Sequence, residues 1–247
     1  FNPNVFSGIS LLDRGGKLSK PLGDVRVRQA INYALDRQAV TTAIFGEWAI
    51  PTTQTLNGEG YQESLDSYYA YDVEKAKQLM AEAGYADGFE LPVVSTSFFS
   101  GDQMVQAIAG QLAEIGITLK IDSKSDVNEY VTVMSSGEAP ASWIGFGSLP
   151  MFIEGPQLFM PNALFNPFHT ESPELTDLYA KLAIASDADR KSISEQIETY
   201  LVEQAWFAQV AWVPLGTYSS AKVDTQAIDA STGLVPIVSI ADLKPAA

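Results

Sequence analysis

Leu91 to Thr96 reads as a strand, Gln103 to Ile115 as a helix closed by Gly116, and Thr118 to Ile121 as a second strand. Strands joined by a helix of this length lie parallel. The crossover is right-handed, because a twisted strand feeding a right-handed helix packs back onto its sheet in only one way. Asp126 with Glu129 forms a capping box for a helix through Met134, and Ala141 to Phe146 supplies a third buried strand. The expected core is an α/β lobe, a parallel-rich mixed sheet covered by helices.

Upstream, Val5, Ile9 and Leu11 suggest an entering strand, followed by the polar turn Asp13-Arg14-Gly15-Gly16-Lys17. That turn lacks the glycine spacing and the Ser or Thr of a phosphate loop. Asp24 can accept from the free N–H groups of a first helical turn, after which Val27, Ile31, Ala34 and Leu35 share one apolar face. Arg26, Arg28 and Arg37 lie off that face. Asp36 starts a second helix through Ile44, stopped at Gly46. Pro51 to Tyr69 is irregular, and Asp72 caps a helix from Val73 to Ala83 that Gly84 closes.

Downstream, Gly147 to Glu171 reads as a long loop with prolines at 150, 156 and 161, of the kind that is functional or packs as a lid. Ser172-Pro173 opens a helix to about Ser186, Asp187 caps the next from Ala188 to about Ala205, and Ala208 to Leu215 is a further strand. The rest of the chain is weakly patterned, and no internal repeat is present.

With 46% apolar and 18% charged residues, the composition is that of a globular protein. Its net charge of -15 argues against nucleic acid, whose phosphates require clustered Lys and Arg. The absence of Cys removes disulfides, thiolate metal sites and Cys nucleophiles. His169 is the only His and lies in a polar loop, with no Gly-x-Ser-x-Gly or His-Glu-x-x-His motif beside it. Asp122, Asp126 and Asn128 do not match a calcium loop. Neither a metal nor a cofactor is expected.

Two phrases carry a more specific signal: PLGDVRVRQAINYALDRQAV, and YAYDVEKAKQLMAEAGYADGFEL from Tyr69 to Leu91. In this order and separation they resemble the C-terminal lobe of family 5 extracellular solute-binding proteins, the dipeptide, oligopeptide and oligosaccharide receptors of ABC importers. The resemblance covers about residues 4 to 215. It implies that 1–215 is one α/β lobe of a periplasmic-binding-protein-like pair, and that 216–247 returns toward an N-terminal lobe of the same chain. Family members are about twice as long, so a truncated lobe is expected. The implied partners are a small solute, peptide or oligosaccharide, and the membrane subunits of an ABC permease. The implied location is extracytoplasmic, in a periplasm or at a cell surface as a lipid-anchored protein, and the receptor is expected to be a monomer that performs no chemistry.

In an open α/β sheet the ligand crevice lies beyond the carboxyl ends of the parallel strands. Two such ends are rich in aromatics: Phe98 and Phe99 after the first strand, and Trp143 with Phe146, Gly147 and Ser148 at the third. Aromatic faces offer area to a peptide side chain or a sugar ring, and they equally serve as ordinary core. Tyr130 on the preceding helix and Phe6 on the entering strand are further candidates by position, whereas Trp206 and Trp212 are expected to pack. In the peptide-binding branch, the loop after this strand carries a Trp and then an Asp that receives the peptide ammonium. Here Phe146 stands at the Trp and Leu149 at the Asp. A buried ammonium without a carboxylate costs several kcal/mol, on the order of a broken buried ion pair, so a neutral oligosaccharide or blocked peptide competes with a free peptide. Glu154 is the nearest alternative carboxylate.

Two readings from other classes stand beside this one. A secreted carbohydrate-active enzyme would need paired carboxylates, yet most are accounted for as caps or solvated helix faces. A protein-interaction module would use the aromatic loop from Gly147 to Glu171.

Overall fold

The computed structural model describes residues 5–56, 58–147, 149–214, 223–224 and 244–245. One six-stranded sheet organises the chain, built from β1 (Val5–Leu11), β2 (Ile50–Pro51), β3 (Phe89–Thr96), β4 (Ile117–Lys124), β5 (Ala141–Gly147) and β6 (Phe207–Val213) in the spatial order β2-β6-β1-β5-β3-β4. β3 runs parallel to β4 and β5, as the strand-helix-strand pattern requires, while β1 is antiparallel to both β5 and β6. The sheet is therefore mixed. The segments 223–224 and 244–245 pair with each other, and the remainder of 215–247 lies outside the described residues.

Helices cover both faces. Against one face pack α1 (Val25–Tyr33), α2 (Arg37–Phe45), α3 (Val73–Glu82), α4 (Gly101–Ala113) and α5 (Val127–Ser136), through a core that includes Ile9, Leu11, Val27, Ile31, Met80, Leu91, Ile108 and Met134. Against the other lie α6 (Met151–Leu158), α7 (Pro173–Ala183) and α8 (Asp187–Glu203), with Phe6, Ile144, Phe159, Leu175, Ile197, Leu201 and Trp212 between them and the sheet. Every residue of β1 is buried, as expected of a central strand covered on both sides.

Local chemistry sets most boundaries. Asp24, Asp36, Asp72, Asp126 and Ser172 each accept from a backbone N–H of the helix that follows. The cap of α8 is Ser186, one residue before the expected Asp187. Gly88 and Gly116 have φ of +74° and +82°, and a Cβ on Gly88 would lie 2.0 Å from the Gly116 carbonyl oxygen. Only paired glycines let β3 and β4 start side by side, in the register Phe89↔Ile117.

The stretch expected to be an irregular loop after Gly147 instead contains α6, although Pro156 lies inside it. Proline removes the N–H that would bond the carbonyl four residues back. That carbonyl, of Phe152, accepts instead from the Tyr179 hydroxyl of α7. The turns that follow close around buried Asn166, whose Nδ2 donates to the carbonyls of Phe159, Met160 and Thr170 while its Oδ1 accepts from Arg14 at 2.8 Å.

Lying off the apolar stripe does not put Arg28 and Arg37 in water, since both are buried. Arg28 donates to the carbonyls of Leu22 at 2.7 Å and of Gln204, the residue that ends α8, at 3.0 Å. Arg37 donates to Gln209 O at 2.7 Å, Tyr69 O at 3.1 Å, and Asn32 O and Oδ1 at 3.0 and 2.7 Å. Burial pushes each guanidinium down to about 10, still charged at neutral pH. Replacing Arg37 by Leu leaves three buried carbonyls without a donor, at about 1–3 kcal/mol each and less than additively. Urea unfolding of Arg37→Leu is expected to show a loss of about 3–5 kcal/mol, whereas the exposed Arg26→Ala should lie within experimental scatter of the parent.

Candidate functional site

The carboxyl ends of β3, β4 and β5 share one edge of the sheet. Val5, which begins β1, is opposite both Gly147 at the end of β5 and Val213 at the end of β6. The chain therefore enters and leaves the sheet at the edge where the parallel strands point.

After β3 the backbone turns through Phe98–Ser100 into α4. Phe99 has φ/ψ of 49°/34° and Ser100 of 62°/24°, so two successive non-glycine residues hold left-handed conformations. Each costs on the order of 1–2 kcal/mol, and such strain concentrates at ligand clamps and active sites. Phe98 and Phe99 are 46% and 61% exposed, with ring centroids 6.4 Å apart. Two bare aromatics on a strained turn form the most conspicuous feature of this edge.

Trp143 does not line the surface. It is buried, its Nε1 donates to Ser7 Oγ at 3.1 Å, and its carbonyl accepts from the Tyr130 hydroxyl. A Cβ on Gly101 or Gly145 would lie 2.9 or 2.4 Å from its ring. Trp143 is thus a wedge under the start of α4 and the end of β5, and Tyr130, also buried, braces it. Phe6 is buried between Trp212, 5.9 Å away edge-on, and half-buried Phe146, which in turn meets Phe165 at 5.4 Å. Gly147 and Leu149 are part-buried at the edge itself, and Ser148 lies outside the described residues. Of the expected side chains, then, Phe98 and Phe99 face solvent, Phe146 and Leu149 do so in part, and Phe6, Tyr130 and Trp143 support from beneath. Trp206 and Trp212 pack in the core, and His169 is exposed with its Nδ1 2.8 Å from Pro161 O.

Two acidic residues, Asp102 and Glu198, escaped the sequence reading, and a third, Glu154, was expected to be available from the loop rather than buried. Asp102, in the first turn of α4, accepts from Ser95 Oγ at 2.5 Å and Ser123 Oγ at 2.7 Å. The two serines are register partners near the ends of β3 and β4, a relation invisible without the strand pairing. Glu154 and Glu198 are fully buried, contrary to the expectation that the carboxylates are caps or solvated. Thr55 donates to Glu198 through its N–H at 2.6 Å and its hydroxyl at 2.9 Å, and Leu149 N–H points at Glu154 Oε2 at 3.4 Å. Glu154 Oε1 has no hydrogen-bond partner. Burial, then the neighbouring Glu198 charge, holds the Glu154 carboxyl well above the usual range, and burial pushes Glu198 up to about 7 against the opposing bonds from Thr55 and Leu56.

Comparison with known proteins places this geometry. The family model described as bacterial extracellular solute-binding proteins, family 5 Middle, matches residues 1–158. The glutathione-binding protein GsiB of Salmonella choleraesuis is 28% identical over 214 residues, covering 79% of this chain and 40% of that protein. The heme-binding protein A of Haemophilus influenzae is 38% identical over 104 residues, 39% of this chain and 19% of that protein. Among solved structures, AgaA of A. tumefaciens in complex with agropinic acid has a TM-score of 0.75 at 27% identity over 86% of this chain and 44% of its own. The dipeptide binding protein from Pseudoalteromonas in complex with Met-Leu has a TM-score of 0.76 at 20% identity, over 90% and 46%, a likeness of fold. The chain thus spans about two-fifths of the length of the curated relatives that match most of it.

The buried carboxyl pair makes stability depend on pH. An acid whose folded value is raised from 4.5 to about 7 favours folding below 4.5, and that contribution is lost as pH rises through about 7. For Glu198 the loss is roughly 3 kcal/mol at about 1.4 kcal/mol per pH unit. Urea midpoints taken from pH 4.5 to 8 should therefore fall more steeply for the parent than for Glu198→Gln; parallel curves would show that the carboxyl is ionised throughout.

Proposed function

The chain belongs to the bacterial extracellular solute-binding proteins of family 5, and from that membership we propose that it forms one lobe of a two-lobed, extracytoplasmic receptor that delivers a solute to the permease of an ABC importer. The observation that carries the placement of the site is the exposed Phe98-Phe99 pair on a strained turn, at the edge where β1 begins and β6 ends. A second lobe joined to the chain there would close over this edge, and the solute would stabilise the closed state by touching both sides. Phe98, Phe99, Phe146, Gly147, Ser148 and Leu149 form this lobe's share of the contact surface. Phe6, Tyr130 and Trp143 fix its shape.

The solute is an oligopeptide-like or oligosaccharide-like molecule of a size that two lobes can enclose. The protein does no chemistry on it: a glycosidase needs two carboxylates flanking an accessible bond, and the Glu154–Glu198 pair is sealed beneath the edge. Among the described residues no helix is long and apolar enough to cross a membrane; the proposed delivery is by docking to separate membrane subunits.

Native mass spectrometry of the full-length receptor from its own host is expected to show a co-purified solute in the mass range of short peptides or oligosaccharides. The lobe alone, titrated with that solute in a calorimeter, should bind at least a hundredfold more weakly, because half of the contact surface is missing. Equal affinity for the lobe and the whole receptor would refute a shared site.

A further inference from the structure

The edge that we assign to the solute has lost its expected acid at Leu149, and it keeps another. Resting on that assignment, we infer that Asp102 is the specificity-determining carboxylate of this lobe, and that it receives a cationic amine of a solute whose neighbouring apolar group lies on Phe98 and Phe99.

The competing acids near the edge are already engaged. Asp122 and Glu129 each lie 3.1 Å from Lys124, which pairs with both and leaves the trio with one net negative charge. Asp126 caps α5 through the N–H groups of Asn128 and Glu129. Glu154 is sealed under Leu149 with no cation facing it among the described residues, where Glu198 from α8, Thr55 and the Leu149 N–H are the polar groups it meets. Asp102 alone combines partial exposure with a fixed position. One serine hydroxyl from β3 and one from β4 hold its two oxygens at 2.5 and 2.7 Å. A carboxylate has about four acceptor sites, so two remain for a ligand, already oriented and therefore cheap in entropy to use.

Its position fits the role. Ser95 and Ser123 are the penultimate residues of β3 and β4, and Asp102 follows the strained turn by two residues, so charge and aromatic surface sit at one mouth of the sheet. Nothing in a purely structural tie between two serines requires a charge: an amide would bond both hydroxyls equally well. The matching solute carries a free ammonium next to an apolar side chain, as in a short apolar peptide, rather than an uncharged sugar.

The test uses the full-length receptor, with Phe-Leu, its N-acetyl derivative and maltotriose as calorimetric probes. The parent should bind Phe-Leu at least tenfold more tightly than the acetylated form. Asp102→Asn should lose that factor for Phe-Leu, change less than twofold for the acetylated peptide and keep its melting temperature, while Phe99→Ala should weaken both peptides alike. Should Asp102→Asn distort the edge, Ser123→Ala gives the same comparison with the carboxylate retained but freed, and a smaller loss confined to Phe-Leu is expected. Equal loss for both peptides in Asp102→Asn would make Asp102 a structural tie and overturn the inference. Parent binding that ignores acetylation, or that is confined to maltotriose, would also overturn it while leaving solute binding in place. A receptor that binds none of the probes overturns it too, and one that carries no co-purified solute either overturns the solute-binding reading with it.

Discussion

Three buried guanidinium groups hold this fold together, and among the described residues none of them is paired with a carboxylate at hydrogen-bond distance. Arg14, Arg28 and Arg37 donate to carbonyls and amide oxygens instead, among them Leu11, Gln204 and Gln209, and Arg14 lies 3.9 Å from the centre of the Trp206 ring. A charge taken out of water is tolerable only where dipoles replace its hydration. Here the replacing dipoles come from segments more than 150 residues apart: Arg14 to Asn166, Arg28 to Gln204, Arg37 to Gln209. Together the three arginines therefore pin the amino-terminal third of the chain to the turns after α6, to the end of α8 and to β6. That closes the sheet around β1, whose antiparallel pairing to β5 and β6 links the parallel strands to the rest.

The stability supplied by that network lets the edge at the carboxyl ends of the parallel strands be locally unfavourable. Phe99 and Ser100 hold left-handed conformations because β3 on one side and α4 on the other are fixed, α4 through the Gly101 contact with Trp143. Trp143 is fixed in turn by Ser7 on β1 and by Tyr130 on α5. Strain at the edge is thus borne by the central strand. The Glu154–Glu198 pair works similarly from the opposite layer: Glu154, its carboxyl held well above the usual range by burial and then by the Glu198 charge, accepts from Leu149 N–H at the β5–α6 connection, while Glu198 of α8 accepts from Thr55.

The features that the sequence made legible are those decided within a few residues. Helix caps at Asp24, Asp36, Asp72, Asp126 and Ser172, and the glycine before β4, are local agreements between side chain and backbone. The parallel arrangement of β3, β4 and β5 follows from spacing alone. What was illegible depends on partners far away. α6 was obscured by Pro156, since the rescue of the Phe152 carbonyl comes from Tyr179, on another helix. Arg28 and Arg37 read as polar residues off an apolar stripe, and only the approach of Gln204 and Gln209 shows why they are inside. At the site, the aromatics were visible by position, but which of them face out was not: the left-handed turn that bares Phe98 and Phe99 uses no glycine to announce it. Asp102 drew no attention in the sequence, where the helix was expected to start one residue later at Gln103, and only the strand register, which places Ser95 beside Ser123, gives it a role.

In the two-lobed receptor proposed above, the same edge would drive the hinge motion. Phe98, Phe99 and, at the start of α6, Phe152 are exposed although burying such a side chain is worth about 1.5–3 kcal/mol. Half open to water, they contribute less to the stability of this lobe than a fully buried ring would, and the lobe rests instead on β1 and the buried arginines. Covered by a solute and an opposing surface, they would contribute several kcal/mol to the closed arrangement alone. Contacts of that kind, absent in the open form and present in the closed one, are what shift a two-state equilibrium. The strain of the turn belongs to this lobe by itself, so it would add no further cost on closing.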